Sequence, residues 1–226
     1  MALRGERPRE RPPEGGGRKG DGSSPDGSLV SPVPDPGTGT EVTLSTRRLL
    51  IEPLRTGDAP ELYAVLRDPR IYAFLPEDPP PSVDVLRSRF ERWTRGPERP
   101  AREVWINWTV RTRAEGKAVG TLQATIFPTE ARALIAYVLS PDLWGQGYAQ
   151  EGVRALVDWL FSRQGIRHVE ALVDRRNDRS LRLLHRLGFE HVGTEVKADH
   201  FKGGWSDEHR LSLSLARWNA TSPSSG

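Results

Sequence analysis

The six residues Trp144–Ala149, with the sequence WGQGYA, combine two glycines with an absence of acidic side chains, and they directly precede a stretch of helical periodicity. The first N–H groups of an α-helix have no partner within the helix, and the helix dipole places partial positive charge beside them. Gly145 and Gly147 leave those amides uncovered by side chains. The segment therefore predicts a binding site for a phosphate group. An ordinary strand-to-helix turn that contains two glycines is the alternative, and the hexapeptide alone is equally compatible with it.

Two predicted strands and a helix would position this segment. Residues 133–140 form a nearly continuous apolar run, which is typical of a strand buried on both faces. Residues 168–174 form a second apolar strand, and apolar residues spaced for one helical face lie between the two strands, at Ala149, Val153, Leu156, Val157, Leu160 and Phe161. A strand, a helix and a strand of these lengths predict a right-handed crossover between parallel strands. Ligands favour the carboxyl ends of such strands.

The remaining elements predict an α+β domain over residues 42–218, with a mixed, mostly antiparallel sheet and helices on both faces. Strands are expected at 46–55, 104–110, 118–127, 190–197 and 209–215, and helices after Asp58, after Ser82 and from Asn177. Residues 1–41 hold 9 of the 22 glycines and 7 of the 19 prolines, so they are predicted to be disordered. The tail 219–226 is predicted to be disordered as well.

Composition excludes several classes of function. The chain has no cysteine, which excludes disulfides, thiolate catalysis and zinc–thiolate sites. No apolar window approaches the roughly 18 residues of a membrane span, and no metal site is predicted. We therefore expect a cytoplasmic protein. The net charge of +3 permits nucleic-acid binding, but the arginines are scattered rather than clustered, so it is not favoured.

Residues 135–161 and 177–193, separated by the second predicted strand, resemble the GCN5-related N-acetyltransferases (GNAT). Within that superfamily they are most similar to the ribosomal-protein N-terminal acetyltransferases (RimJ/RimL-like). The resemblance extends over roughly residues 44–218 and implies the GNAT fold, whose central parallel pair of strands splays around acetyl-coenzyme A. It also implies transfer of the acetyl group to a primary amine, either a protein N-terminus or a small molecule such as an aminated antibiotic or a polyamine.

The resemblance assigns cofactor-binding residues by position. The pyrophosphate of acetyl-coenzyme A would be held by the backbone amides of the hexapeptide, that is by Trp144, Gly145, Gln146, Gly147, Tyr148 and Ala149. The pantetheine arm would lie along the backbone of Tyr137, Val138 and Leu139 as an added strand does. Asn177 would cap the following helix and contact the same arm, and Ser180 would lie beside it. Trp144 stands where many members of the superfamily have Gln or Arg.

The implied reaction needs a deprotonated amine, donors for the oxyanion and an acid for the leaving thiolate. Many relatives place a Tyr seven residues after the motif asparagine, but Leu184 stands there in this chain. Ser180 is the alternative acid, and a serine that only bonds the helix backbone is the competing interpretation. Tyr137 is the second catalytic candidate. Further candidates for the base are Glu130, His200 and Asp207, and a water chain to solvent is the default.

The acceptor pocket is expected between the proline-rich loop 72–81, the second helix and a loop around His200. Trp93 and Trp105 are candidates for its walls, and Glu77 could attract a cationic amine; core tryptophans and a solvated loop charge are the alternatives. The missing tyrosine, and the absence of the glutamate that members of the superfamily often carry on the strand before the loop, leave a non-catalytic acyl-coenzyme A sensor as an alternative function. A nucleic-acid-binding module is a third. The chain is expected to act as a monomer or a homodimer.

Overall fold

The computed structural model describes residues 41–98, 100 and 102–221, so the predictions for 1–40 and 222–226 lie outside the described residues. Eight strands form one sheet in the order β1-β2-β3-β4-β5-β6-β8-β7. They are β1 (Leu44–Ser45), β2 (Leu49–Pro53), β3 (Val104–Thr112), β4 (Ala118–Phe127), β5 (Arg132–Leu139), β6 (His168–Asp174), β7 (Glu190–Phe201) and β8 (Gly204–Ser214). All neighbouring pairs are antiparallel except β5 and β6, which confirms the predicted mixed sheet.

Helices cover both faces of this sheet. They are α1 (Ala59–Leu66), α2 (Val83–Arg95), α3 (Tyr148–Arg163), α4 (Asp178–Arg186) and α5 (Leu215–Thr221). The larger core contains side chains of α3, α4 and α5, and the smaller one contains those of α1 and α2. Ile135 belongs to the larger core and Val138 to the smaller one. Since side chains alternate along a strand, the two cores lie on opposite faces. No helix within the described ranges is long and apolar enough to cross a membrane.

Strands β5 and β6 are parallel over three residue pairs only, from Arg132 opposite His168 to Leu134 opposite Glu170. Beyond that point β5 continues to pair with β4 as far as Leu139, and β6 continues to pair with β8 as far as Asp174. The two strands therefore separate toward their carboxyl ends while each keeps its other neighbour. This separation opens a gap in the middle of the sheet, next to the start of α3.

The predicted helix starts differ in their capping chemistry. Ser82 caps α2 as expected, and its hydroxyl accepts a hydrogen bond from the Val85 N–H at 3.3 Å. Asp58 also precedes a helix, but its carboxylate does not cap α1. It accepts instead from the Thr109 hydroxyl at 2.7 Å and from the Arg111 guanidinium at 2.9 Å. Asp58 is therefore the N-cap residue of α1, as predicted, but its side chain does not cap the helix, because Thr109, Arg111 and the backbone N–H of Arg55 occupy its oxygens.

The C-terminal region contains more regular structure than the sequence predicts. Strands β7 and β8 extend across the segment predicted as a loop around His200, so that His200 pairs with Trp205. Register shifts lie between His191 and Gly193 and between Glu195 and Asp199. Such bulges break the period-two pattern by which a strand is predicted. Helix α5 runs to Thr221, three residues into the predicted tail.

Candidate active site

The gap between β5 and β6 is part of an open cleft of about 700 Å³. Its walls come from the end of β5, from the loop that leads into α3, from α4 and from the segment after α1. The residues that line it are Arg70, Ile71, Ala73, Phe74, Leu75, Tyr137, Val138, Leu139, Leu143, Trp144, Gly145, Gly147, Ala149, Gln150, Arg176, Asn177, Asp178, Arg179, Ser180, Arg182, Leu183 and Arg186. The predicted cofactor segments on β5, before α3 and at the start of α4 thus meet in one place.

Both glycines of the segment 144–149 adopt left-handed backbone conformations, with φ of 78° at Gly145 and 82° at Gly147. Residues other than glycine rarely adopt such φ values. Gly147 is the N-cap of α3, a helix of 16 residues, so the amides of the first turn face the cleft with the positive end of the helix dipole. Backbone geometry at the two glycines therefore suits an anion.

Not all six residues of that segment line the cleft. The Gln146 side chain donates to the Asp142 carbonyl at 2.8 Å, and the Tyr148 ring lies 4.0 Å from the Arg48 guanidinium carbon. The other four residues of the segment line the cleft, as does Gln150, which sequence analysis missed. The position of Gln150 in the first turn of α3 would have indicated that it lies at the cleft.

Trp144 connects three walls of the cleft. Its indole N–H donates to the Leu139 carbonyl at 3.0 Å, which ties the loop to the end of β5. The Arg179 guanidinium lies 3.9 Å from the ring centroid, a cation–π contact that ties the loop to α4. A large aromatic ring at this position therefore acts as a spacer between the strand end and the helix.

The hydroxyls of Tyr137 and Ser180 form a hydrogen bond of 2.6 Å across the gap between β5 and α4. Ser180 is only 6% exposed, and its N–H donates to the Asn177 side chain at 3.2 Å, which caps α4. Burial raises the pKa of the Tyr137 hydroxyl above its usual range, although the bond with Ser180 opposes the shift. The phenol consequently keeps its proton near neutral pH. Leu184, at the position of the usual tyrosine, is fully buried in the larger core.

The four predicted acceptor residues do not line this cleft. Trp93 is 4% exposed and packs on Phe90 with ring centroids 5.6 Å apart, because its helical face covers the smaller core. Trp93 and Trp105 line a separate depression of about 270 Å³. The Glu77 carbonyl accepts from the Lys202 ammonium at 3.2 Å, and His200 packs on Trp205 in the terminal hairpin. The first part of the predicted loop 72–81 does line the cleft, through Ala73, Phe74 and Leu75, together with Arg70 and Ile71 just before it.

Five arginines line the cleft, against a single carboxylate, Asp178. They are Arg70, Arg176, Arg179, Arg182 and Arg186. The last three are spaced three and four residues apart on α4, so they share one helical face. The sequence alone shows this spacing. Within the described residues, no group of three His, Asp or Glu side chains is arranged to bind a metal ion.

Arg176 forms a two-pronged ion pair with Asp174 at the end of β6, with N···O distances of 2.9 and 2.6 Å. Burial favours the neutral carboxyl, but hydrogen bonds from Arg176 and Ser206 outweigh it and lower the pKa of Asp174. Asp174 therefore remains ionised and is a weak base. Its partner Arg176 is held at the mouth of the cleft.

The family model for the acetyltransferase (GNAT) domain matches residues 48–190. The uncharacterized N-acetyltransferase p20 of Bacillus licheniformis is 27% identical over 172 residues, which cover 76% of this chain and 95% of that protein. The fold is shared with the ribosomal-protein-S5-alanine acetyltransferase of Vibrio fischeri (TM-score 0.64, 22% identity, 79% of this chain and 99% of the other). It is shared as well with the spermidine N-acetyltransferase of Vibrio cholerae in complex with CoA and spermine (TM-score 0.66, 18% identity, 77% and 99%). The chain therefore belongs to the GNAT acetyltransferase family, and it is an acetyl-coenzyme A-dependent N-acetyltransferase.

Proposed function

We propose that the protein transfers the acetyl group of acetyl-coenzyme A to a primary amine of a protein N-terminus or a small molecule. The amine attacks the thioester directly, through a tetrahedral intermediate. The observation that supports this proposal best is the cleft, in which an uncovered helix N-terminus and the open edge of a strand converge on a pair of hydrogen-bonded hydroxyls. The helix N-terminus suits the diphosphate of acetyl-coenzyme A, the strand edge suits its amide-containing arm, and the hydroxyl pair suits its leaving thiolate.

The donor set of the cleft fits the diphosphate of coenzyme A. The amides at the start of α3 would bind its oxygens, with Gly145 and Gly147 allowing close approach. The arginines of α4 would supply charge, since guanidinium groups form strong hydrogen bonds with phosphate. When bound, acetyl-coenzyme A supplies an activated acetyl group on a thiol leaving group. The chain's own residues bind and orient that thioester.

The end of β5 would bind the pantetheine arm. From Ile135 to Leu139 the strand pairs with β4 on one side only, because β6 has separated from it. Backbone N–H and C=O groups along the open edge can therefore pair with the amides of the arm in the manner of an added strand. A backbone N–H near Leu139 would donate to the oxyanion that develops during attack.

Ser180 would act on the leaving thiolate, with Tyr137 orienting its hydroxyl. Ser180→Ala is expected to lower kcat by about 100-fold with little change in coenzyme A affinity, because a general acid acts only as the thiolate leaves. Tyr137→Phe should lower kcat as well. The double variant should be no slower than the slower single variant, since both hydroxyls belong to one hydrogen bond. Steady-state kinetics and calorimetry measure these values, and an unchanged rate in Ser180→Ala would leave the serine hydroxyl with only a structural bond to Tyr137.

A water chain is the proposed route for the amine proton. Tyr137 is the one proposed base that lines the cleft, and it keeps its proton because its pKa is raised. Glu130 pairs with Arg132 ahead of β5, and Asp207 pairs with Arg175. These carboxylates are engaged outside the cleft, so solvent in the open cleft is the proposed acceptor of the proton.

The acceptor is proposed to bind against the segment 70–75. This segment contributes Arg70 and the side chains of Ile71, Ala73, Phe74 and Leu75 to the cleft, and no acidic group. Arg70 is already ion-paired with Asp68 at 2.6 Å and with Asp142 at 3.3 Å, and the other side chains of this lining are apolar. Such a lining is better suited to a peptide N-terminus or a small monoamine than to a polyamine, because the several charges of a polyamine would gain no acidic partner from it. A peptide N-terminus also agrees with membership of the RimJ/RimL-like branch, which we propose from the sequence motifs and from the fold shared with the ribosomal-protein-S5-alanine acetyltransferase.

Release of free thiol from acetyl-coenzyme A tests the proposed function. We expect release to depend on an added amine across a panel of peptides, monoamines and polyamines, with the peptides or monoamines most active. Coenzyme A binding without turnover on the whole panel would instead indicate an acyl-coenzyme A sensor. Thermal stabilisation by coenzyme A, absent with DNA, would exclude the nucleic-acid-binding alternative.

A further inference from the structure

Arg48, which lies between β1 and β2, contacts the start of α3 in four ways although it does not line the cleft. Its backbone N–H and its Nε donate to the two carboxylate oxygens of Glu151, at 2.7 and 2.6 Å. Its Nη1 donates to the Gln146 carbonyl at 3.0 Å. Its guanidinium carbon lies 4.0 Å from the centroid of the Tyr148 ring. One side chain thus holds both the glycine loop and the first turn of the helix.

The bond to the Gln146 carbonyl determines where the next amide points. In a trans peptide the C=O of one residue and the N–H of the next point in opposite directions across one plane. The described residues contain no cis peptide, so the Gly147 N–H points away from Arg48. Gly147 has φ of 82° and lines the cleft. Glycine alone would leave this peptide free to rotate, and the anchored carbonyl removes that freedom.

Glu151 is an acidic side chain in the first turn of α3, where it would compete with a phosphate for the positive end of the helix. It does not reach the cleft, because the Thr46 hydroxyl donates to it at 2.6 Å and Arg48 holds both of its oxygens. The Arg48 contacts therefore remove a competing negative charge as well as orienting the loop.

We propose that Arg48 is a positioning residue for the diphosphate of the bound thioester substrate, acting through the Gln146–Gly147 peptide and through Glu151. The proposal rests on the function proposed above. It identifies a determinant of cofactor affinity outside the cleft, about one hundred residues earlier in the chain than the loop that it orients. A purely structural role, which would tie the start of β2 to α3, is the competing explanation.

Two thioester substrates separate these explanations. In Arg48→Ala, KM for acetyl-coenzyme A should rise about tenfold or more, because a charge-assisted contact that orients the loop is lost. KM for S-acetylpantetheine, which has no diphosphate, should stay within about twofold, as should kcat with either substrate. Arg48→Lys retains the charge beside Glu151 but lacks the planar guanidinium that reaches both Glu151 and the Gln146 carbonyl. This variant should also raise KM for acetyl-coenzyme A and leave KM for S-acetylpantetheine unchanged. It replaces Arg48→Ala in the test if the alanine variant fails to fold.

Arg113→Ala is the matched control. Arg113 holds the same segment through the Ser45 hydroxyl at 3.1 Å and the Thr46 carbonyl at 3.0 Å, and neither partner belongs to the loop 144–149. It should leave the ratio of the two KM values unchanged. An equal rise for both thioesters in the Arg48 variants, or the same selective rise in Arg113→Ala, would overturn the proposal. Absence of turnover in the unmodified protein would count against the proposed function instead, and calorimetry with coenzyme A and pantetheine would still test the role of Arg48.

Discussion

Gly147→Asp is expected to abolish measurable coenzyme A binding, with a loss of affinity of about 100-fold or more. An aspartate at the N-cap of α3 would place a negative charge beside the amides that receive the diphosphate, and it could bond those amides itself. A side chain is also strained at φ of 82°, and its Cβ would lie 3.4 Å from Nη2 of Arg48. Isothermal calorimetry with coenzyme A measures the loss.

Two variants separate charge from strain in this experiment. Gly147→Ala introduces the same backbone strain without the charge, so it should retain part of the affinity. Gly165→Asp adds the same charge just beyond the other end of α3, where φ is 62° and a Cβ meets no atom within 4 Å. It should bind coenzyme A as the unmodified protein does. Normal affinity in Gly147→Asp would show that the diphosphate does not bind at this helix end.

Gly120→Ala is expected to reduce both stability and turnover, since Gly120 lies on β4 directly opposite Leu139. A Cβ at this position would overlap the Val138 carbonyl oxygen and lie 2.9 Å from the Leu139 Cα. Backbone cannot move aside as the end of a flexible side chain can, so β5 must shift. We expect the free energy of unfolding to fall by about 3 kcal/mol, the upper part of the range for overpacked cores. Because Val138 and Leu139 line the cleft, kcat should fall as well.

Urea denaturation and steady-state kinetics measure the two effects. Gly193→Ala is the control, since Gly193 is also a strand glycine, but a Cβ there meets nothing within 4 Å. Its free energy of unfolding should change by less than about 0.5 kcal/mol. Equal stability of the two variants would mean that β4 does not constrain the end of β5. Loss of stability without loss of turnover in Gly120→Ala would mean that the position of Val138 and Leu139 does not control the reaction.

The elements around the cleft were largely predictable because their signals are local. The apolar run of β6 was predicted with the bounds that the structure has, His168–Asp174. Ser82 caps α2 through a residue three positions away, and Asn177 caps α4 in the same manner. The glycine spacing before α3 indicated an anion site without knowledge of the rest of the chain. Each of these features depends on residues within a turn or two of one another.

Contacts between distant segments decided the rest. The long terminal hairpin around His200 depends on strand pairing across two bulges. Trp93 does not line the cleft because it is buried in the smaller core. Arg48 and Gln146 meet across 98 residues, and no local pattern indicates such a pair.

By itself the sequence determined the helices and strands from α1 to α4, the mixed sheet and the glycine-rich start of α3, because local periodicity and capping specify them. It did not predict β1 or α5, and the strand that it predicted over 46–55 is the shorter β2, Leu49–Pro53. Only the tertiary structure decided which side chains line the cleft and which interactions orient its amides. The physical reason is that these features depend on packing between elements that are far apart in the chain. Examples are the open edge of β5, the direction of the Gln146 carbonyl and the hydrogen bond between the hydroxyls of Tyr137 and Ser180.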